Sequence, residues 1–186
     1  MALPRFLAAV AASVVLATGP ALADEIGDIR TQFQQGDLAG ALERADRYLA
    51  AHPENAQARF LKSLILADQG KPEDAIAVLD ALSDDYPELP EPYNNLAVIH
   101  AAQGRYALAL AMLEKALLAH PGHAIAHENL GDIHARLAAA AYEKAAALDD
   151  RNTTAKIKVA QMRALLEKQA LDPAPAPFLE NPPPAR

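Results

Sequence analysis

The sequence predicts an all-α protein, an α-solenoid of stacked antiparallel helix pairs with about three and a half repeats and a C-terminal capping helix. The 186 residues are 52% hydrophobic but only 5% aromatic and contain no Trp, a composition that suits helices packed through small side chains. In addition, three sets of residues recur at a spacing of 34, which indicates a helical repeat. The sets are Gly36, Gly70 and Gly104; Ala41, Ala75 and Ala109; and Pro53, Pro87 and Pro121.

The first 23 residues are predicted to be an export signal. Arg5 supplies the positive start, residues 6–18 form an uncharged and mainly apolar run, and small residues at 21–23 surround a cleavage point. The run is shorter than the roughly 20 apolar residues that span a bilayer, so a retained anchor is the less favoured alternative. We expect a soluble periplasmic protein that begins at Asp24 and has no stable membrane insertion.

Charge and cysteine content exclude several classes of protein. The net charge of -7 is the opposite of the basic surface that a nucleic-acid binder needs. The sequence has no Cys, which excludes disulfides, a thiol nucleophile and a thiolate metal site. We therefore expect no nucleic-acid partner, and a fold that is stabilised by packing alone.

Each 34-residue unit has the pattern of a helix, a glycine turn, a second helix and a proline. Gly104 can adopt the positive φ that closes a helix, and Pro121 cannot continue the helix before it. Ala109 is small, which lets two antiparallel helices cross closely. The predicted units are residues 24–55, 56–89, 90–123 and a shortened 124–152.

The third unit resembles the tetratricopeptide repeat. The residues that carry the resemblance are Tyr93, Leu96, Ala97, Gly104, Tyr106, Ala109, Leu113, Ala116 and Pro121. The second unit keeps the Gly, Ala and Pro but has Arg59 and Ser63 in its early slots, and the first unit has only Ile26, Ile29 and Phe33 as an apolar stripe in its opening helix. With the export signal, the chain is similar to exported bacterial members of this family.

The fourth unit opens in register and then loses five residues. Tyr-Glu-Lys-Ala at 142–145 follows Leu-Glu-Lys-Ala at 113–116 by only 29 residues, and the missing part includes the glycine turn. Two alternatives follow: a fused helix of about 25 residues, or a tight turn within Leu137–Ala140. Ala is the best helix former and no Gly or Pro lies between Gly131 and Asp149, which favours fusion.

A capping helix is predicted over residues 153–171, with an N-cap candidate at Asn152. Its apolar stripe, expected to pack on the fused helix, is Ile157, Ala160, Ala164 and Leu165. The alternative is a docking surface made by these two helices. Residues 172–186 are rich in Pro and are expected to be a disordered tail, in which Phe178-Leu179 is the only apolar pair and could form a recognition element.

The histidines raise the hypothesis of a metal site, centred on His123, His127 and His134. His127 lies 34 residues after Tyr93, and His134 lies 34 after His100. The resemblance implies that these are buried packing slots, in which a ring wedges between helices. We therefore predict packing or surface roles for them and no metal site.

No catalytic motif appears in the sequence. The stretch His-Glu-Asn-Leu-Gly at 127–131 lacks the second His of the zinc-protease helix, and no phosphate loop, dinucleotide fingerprint or Ser-His-Asp signature occurs. The prediction is a protein that is not an enzyme and needs no cofactor.

The resemblance implies that a protein or peptide partner binds in a concave groove lined by the first helix of each unit. The groove residues that it implies are Phe60, Leu64, Ala67, Asn94, Val98, Ala101, Glu128 and Asp132. Asn94 could hold a partner's backbone by its amide. Some family members clamp a C-terminal carboxylate with Lys, Arg and Asn, but the matching slots here hold Gln57, Phe60, Glu91 and Asn94, so the cations are missing. We therefore expect a partner that is neutral to basic at the acidic end.

Three functions compete at this stage. The leading hypothesis is a non-catalytic periplasmic adaptor or scaffold in cell-envelope complex assembly. The first alternative is an assembly chaperone that holds unfolded or apo clients, for example in cytochrome maturation, and the second is a His-based metal-binding protein. The oligomeric state stays open.

Overall fold

The computed structural model describes the backbone of residues 19–171 and the side chains of residues 25–167. Within this range the chain is all helical, without a strand, as the sequence predicts. The helices are α1 (Gly19–Gln34), α2 (Leu38–Ala51), α3 (Ala56–Asp68), α4 (Pro72–Asp85), α5 (Pro90–Ala102), α6 (Tyr106–Ala119), α7 (Ala124–Leu148) and α8 (Thr153–Leu171). Residues 1–18 of the predicted export signal and the predicted tail lie outside the described residues, while residues 19–23 begin α1.

The turns within the first three helix pairs are made by the glycines that define the repeat. Gly36, Gly70 and Gly104 have φ angles of 79°, 72° and 73°, a region that costs residues with a Cβ. At the third turn the Gly104 N–H donates to the Ala101 carbonyl and the Arg105 N–H to the His100 carbonyl, both at 2.9 Å. These two hydrogen bonds satisfy carbonyl groups at the end of α5, and the chain reverses direction into α6.

Buried alanines mark the close crossings of the paired helices. Ala41, Ala75 and Ala109 are each fully buried, where a larger side chain would force the two helices apart. Consecutive helices contact one another along the whole chain from α1 to α8. The result is the solenoid of helix pairs that the sequence predicts.

The core forms two clusters that meet at α5. Leu96 and Ile99 belong to a cluster with α1 to α4, whereas Tyr93 and Ala97 belong to a cluster with α6 and α7. A helix that carries buried residues on both sides lies in the middle of a stack. Helix α5 is therefore the central element of the solenoid, and its remaining side is available to position a surface.

The shortened fourth unit is one continuous helix, the first of the two alternatives. Helix α7 runs over Ala124–Leu148, 25 residues, and Leu137–Ala140 are helical. His123 caps its start, because the Nδ1 atom accepts the Ala126 N–H at 3.1 Å. Helix α7 contacts α6 and α5 as well as α8, so it joins the repeats to the C-terminal helix.

Helix α8 packs on α7 with a different side from the one that the sequence suggests. The predicted stripe is exposed, with Ile157 at 59% and Leu165 at 43% relative exposure. The side that faces α7 instead carries the less exposed apolar residues, which recur at helical spacing: Ala155, Val159, Met162 and Leu166. Two contacts orient the helix this way, an ion pair of Arg163 with Glu143 at 2.9 Å and Lys158 over the Tyr142 ring at 4.8 Å.

In the part of the chain that the structure describes, no helix combines the length and the apolar character needed to cross a membrane.

Candidate protein-binding surface

The candidate site is the surface shared by the first helices of the units, which we call the inner surface. It consists of the predicted groove residues on α3, α5 and α7, together with Glu91 of α5. Helix α1 contacts α3, and α5 contacts α7, so the first helices of the first and second units, and of the third and fourth units, are neighbours. On α5, residues 91, 94, 98 and 101 share one face because they are three or four positions apart.

The apolar end of the predicted groove is filled by the protein itself. Phe60 and Leu64 are only 1% and 3% exposed and belong to the core cluster that includes Ile29 of α1. In the free chain these two side chains pack the core rather than line an open surface, because α1 covers the α3 helix. Ala67, one turn further along α3, is half-buried and packs on the same cluster.

The centre of the inner surface contains an amide pair that joins two repeats. Asn94 is 3% exposed, and its Oδ1 atom accepts a hydrogen bond from Asn129 Nδ2 of α7 at 2.8 Å. The amide oxygen of Asn94 is therefore engaged by the chain itself. Sequence reasoning missed Asn129, although its place 34 residues after Asn95 shows that it lies on the inner helix of its unit.

Val98 and Ala101 continue the same face of α5 and are both half-buried. They offer the small apolar area that is open at the middle of the inner surface. A partner's side chains can gain contact area there without displacing any residue of the core.

Acceptor atoms dominate the inner surface from the start of α5 to α7. Glu91 is half-buried, and its Oε2 atom has no donor among the described residues. Asn95 donates from Nδ2 to the Glu91 carbonyl at 2.9 Å, while its buried Oδ1 atom also lacks a donor in the described range. On α7, Glu128 is exposed and Asp132 is half-buried. This arrangement suits N–H donors and cations.

The histidine slots behave differently in the third and fourth units. His100 is buried, and its pKa is lowered by burial first and then by the nearby Arg105 cation, against an opposing pull from Asp80 and Glu73. Of the predicted packing or surface roles, His127 and His134 have the surface role, because both are exposed; the burial that the resemblance implies for their slots is absent.

The physical reason for this difference is the fused helix. In the third unit α6 folds back over α5 and covers its ring slots, whereas α7 continues straight and no second helix of that unit returns over its first half. The Nε2 atom of the His127 ring instead lies 2.9 Å from the carbonyl oxygen of Pro121. Among residues 25–167 no three His or acidic side chains come together as a metal site would require.

Comparison with known families gives one result. A family model described as tetratricopeptide repeat matches residues 29–90, and a second model of the same description matches residues 90–123. The two matches together span residues 29–123, which is all of the first three predicted units except residues 24–28. No curated protein matches the sequence significantly.

Solved structures with a similar fold have low sequence identity. The first TPR of Spaghetti (RPAP3) bound to the HSP90 peptide SRMEEVD is 17% identical, with 63% of this chain and 93% of that chain covered and a TM-score of 0.58. The Yersinia enterocolitica type III secretion chaperone SycD, in complex with a peptide of the translocator YopD, is 14% identical, with 62% and 94% covered and a TM-score of 0.57. Pseudomonas aeruginosa pilF is 18% identical, with 81% and 71% covered and a TM-score of 0.58.

Proposed function

The chain belongs to the tetratricopeptide repeat family, and we propose that it is a non-catalytic adaptor whose inner surface binds a neutral-to-basic segment of another protein. The observation that carries the proposal is the run of acceptor groups from Glu91 to Glu128 and Asp132 beside the open apolar area of Val98 and Ala101. An extended segment could place apolar side chains on that area and its N–H groups or cations on the acceptors.

Electrostatics favours a basic partner over an acidic one. The HSP90 peptide that RPAP3 binds, SRMEEVD, contains three acidic residues. In this chain the slots that match the carboxylate clamp of some family members, Gln57, Phe60, Glu91 and Asn94, contain no cation to hold such a peptide. A carboxylate-rich segment would meet like charge on the inner surface, and like-charge contacts of this kind suppress binding by several kcal/mol.

The buried acceptor of Glu91 gives the proposal a specific contact. The Oε2 atom of Glu91 has no donor among the described residues. Because the residue is only half-buried, rotation of its side chain brings the carboxylate to the surface. A partner's Lys, Arg or backbone N–H can pair with it there.

Export to the periplasm and a role in cell-envelope complex assembly are part of the proposal. The export pattern of residues 1–23 supports them. Mass spectrometry of the protein from cells that produce it tests this directly. We expect a chain that begins at Asp24 and is released with the periplasmic fraction, and an uncleaved chain in the cytoplasm would contradict it.

An assembly chaperone is the second candidate, because the SycD relative is a chaperone in complex with a peptide of its translocator. The two candidates differ in what is held. An adaptor keeps its partner after that partner has folded, whereas a chaperone binds the same segment only when it is extended. Affinity for the isolated segment and for the folded protein that contains it separates them.

Charge reversal on the inner surface tests the binding site. A random-peptide library is selected on the immobilised full chain, and the enriched peptides are titrated against Glu128→Lys and Asp132→Lys variants. Glu114→Lys, on α6 and exposed like Glu128, is the matched control. We expect peptides rich in Lys and Arg, and binding about tenfold weaker, or 1.4 kcal/mol, for the inner-surface variants only.

Circular dichroism confirms that each variant is folded, and Glu128→Lys is the safer variant because Glu128 is exposed while Asp132 makes interactions within the chain. Enrichment of acidic peptides, or equal binding by Glu128→Lys and Glu114→Lys, would refute the proposed site.

A further inference from the structure

The second half of α7 has the sequence of the second helix that its unit lacks. Tyr-Glu-Lys-Ala at 142–145 matches Leu-Glu-Lys-Ala at 113–116 of α6. Helix α8 packs beside this half as α7 packs beside α6, because the less exposed apolar residues of α7 and α8 correspond at a spacing of 29. On α7 they are Ala126, Leu130, Ile133 and Leu137, and on α8 they are Ala155, Val159, Met162 and Leu166. The fourth unit therefore keeps both of its helical segments, and what it lacks is the contact between them.

The surface of α7 that would receive a second helix is open. In the third unit the side of α5 that packs on α6 carries Tyr93, Ala97 and His100, which are all buried. The residues 34 positions later on α7 are His127, Gly131 and His134, and all three are exposed. A Cβ added at Gly131 would meet no atom within 4 Å. No described helix therefore takes the place beside α7 that α6 takes beside α5.

These three residues begin a row that continues along the second half of α7. Successive members are four and three positions apart in alternation, which keeps them on one side of a helix. Ala138 and Ala145 are half-buried, and the other members are exposed, with Leu148 at 80%. Glu128 and Asp132 lie on a different side of α7, so the row is separate from the inner surface. We call the row the open seam: His127, Gly131, His134, Ala138, Ala141, Ala145 and Leu148.

A second copy of the chain supplies what a straight α7 cannot supply to itself. When two α7 helices lie antiparallel along their open seams, the first half of each meets the second half of the other. His127 of one copy then lies near Leu148 of the second copy, and Gly131 near Ala145 of the second copy. The same surface is used on both copies, so both missing contacts form together and the assembly closes as a twofold dimer.

We propose that the chain forms a twofold dimer through the open seam, in which each copy provides the second helix of the other copy's fourth unit. The small residues of the seam allow a close approach, as the fully buried Ala109 does between α5 and α6. The seam contains no Lys, Arg, Asp or Glu, so a symmetric contact brings no like charges together at neutral pH. This proposal does not depend on the function of the inner surface.

The area of this contact is at the lower end of that of specific interfaces. Two helices of 25 residues meet over about 37 Å and about one helix diameter of 10 Å. Each α8 would also touch the first half of the other copy's α7 by its edge, as α5 touches α7 within the chain. Together these contacts bury roughly 1,200 Å², where specific interfaces begin. We therefore expect a dimer that dissociates on dilution.

Crosslinking between two singly substituted chains tests the antiparallel alignment. The sequence has no Cys, so His127→Cys and Leu148→Cys each provide one thiol at an exposed position. Within one copy the two positions are about 32 Å apart along α7, whereas they are neighbours across the dimer. We expect a short bismaleimide to link a mixture of the two variants into dimers with one chain of each, and to leave each variant alone unlinked. An unlinked mixture, or dimers formed by one variant alone, would overturn the proposal.

A matched pair of substitutions tests whether the open seam holds the dimer. Ala141 and Ala147 are both exposed on α7, but Ala141 lies in the open seam and Ala147 on another side of the helix. Ala141→Arg places bulk and charge in the contact and should weaken dimerisation by about tenfold in sedimentation equilibrium, whereas Ala147→Arg should leave it unchanged. Circular dichroism establishes that both variants are folded. A parent chain that stays monomeric at every concentration, or equal effects of the two substitutions, would refute a second copy as the occupant of the seam.

Discussion

Truncation of Leu113 is the sharpest test of the packing. Leu113 lies on α6, is fully buried and belongs to the cluster that joins α5, α6 and α7. Replacement of such a residue by Ala removes buried methyl groups and leaves a cavity, at a cost of about 2–5 kcal/mol. For a chain of this size, about 3 kcal/mol corresponds to a fall in Tm of roughly 6–12 °C.

The same helix provides the control. Leu118, five residues further along, is 84% exposed, so Leu118→Ala should change the free energy of unfolding by less than about 0.5 kcal/mol. Urea denaturation followed by circular dichroism measures both variants against the parent chain. Equal losses at Leu113 and Leu118, or a loss only at Leu118, would refute the assignment of the buried face of α6.

Substitutions test three further local features: the glycine turn, the buried histidine and the continuity of α7. Gly104→Ala should cost about 1–2 kcal/mol of unfolding free energy because its φ is positive, whereas Gly131→Ala, within α7 and with open space at its Cβ, should stabilise by up to about 1 kcal/mol. Because burial lowers the pKa of His100, the unfolded state binds a proton there more readily, so the free energy of unfolding should fall as pH drops below about 6.5. Denaturant titrations at several pH values measure this slope, which His100→Gln should weaken. The control His134→Gln, at an exposed ring, should not weaken it. Ala140→Gly should cost about 1 kcal/mol in the helix of α7, and a neutral or stabilising result would indicate a turn at that position.

Regular elements of this fold follow from the sequence because each rests on one local constraint. Gly104 must adopt a positive φ, Ala109 must be small at a helix crossing, and the helix before Pro121 must end; all three hold in the structure. The continuous α7 is predictable for the same reason, since a run of Ala offers no turn chemistry.

The burial of side chains by helices that are distant in the sequence could not be predicted in the same way. Phe60 is buried because α1 packs over α3, and His127 is exposed because no helix returns over the first half of α7. Neither fact can be read from the residue itself, because its exposure depends on which neighbouring helix covers it. The prediction that Ile157 and Leu165 face α7 was also wrong. Helix α8 has apolar residues on two sides, and its sequence alone does not indicate which side packs on α7.

Methyl NMR of the full chain with a peptide selected on it tests the central claim, binding at the inner surface. Val98 and Ala101 lie on the open part of that surface, whereas Leu118 is exposed on α6. We predict that peptide shifts the methyl signals of Val98 and Ala101 and leaves those of Leu118 in place. Shifts at Leu118 with none at Val98 and Ala101 would contradict the account.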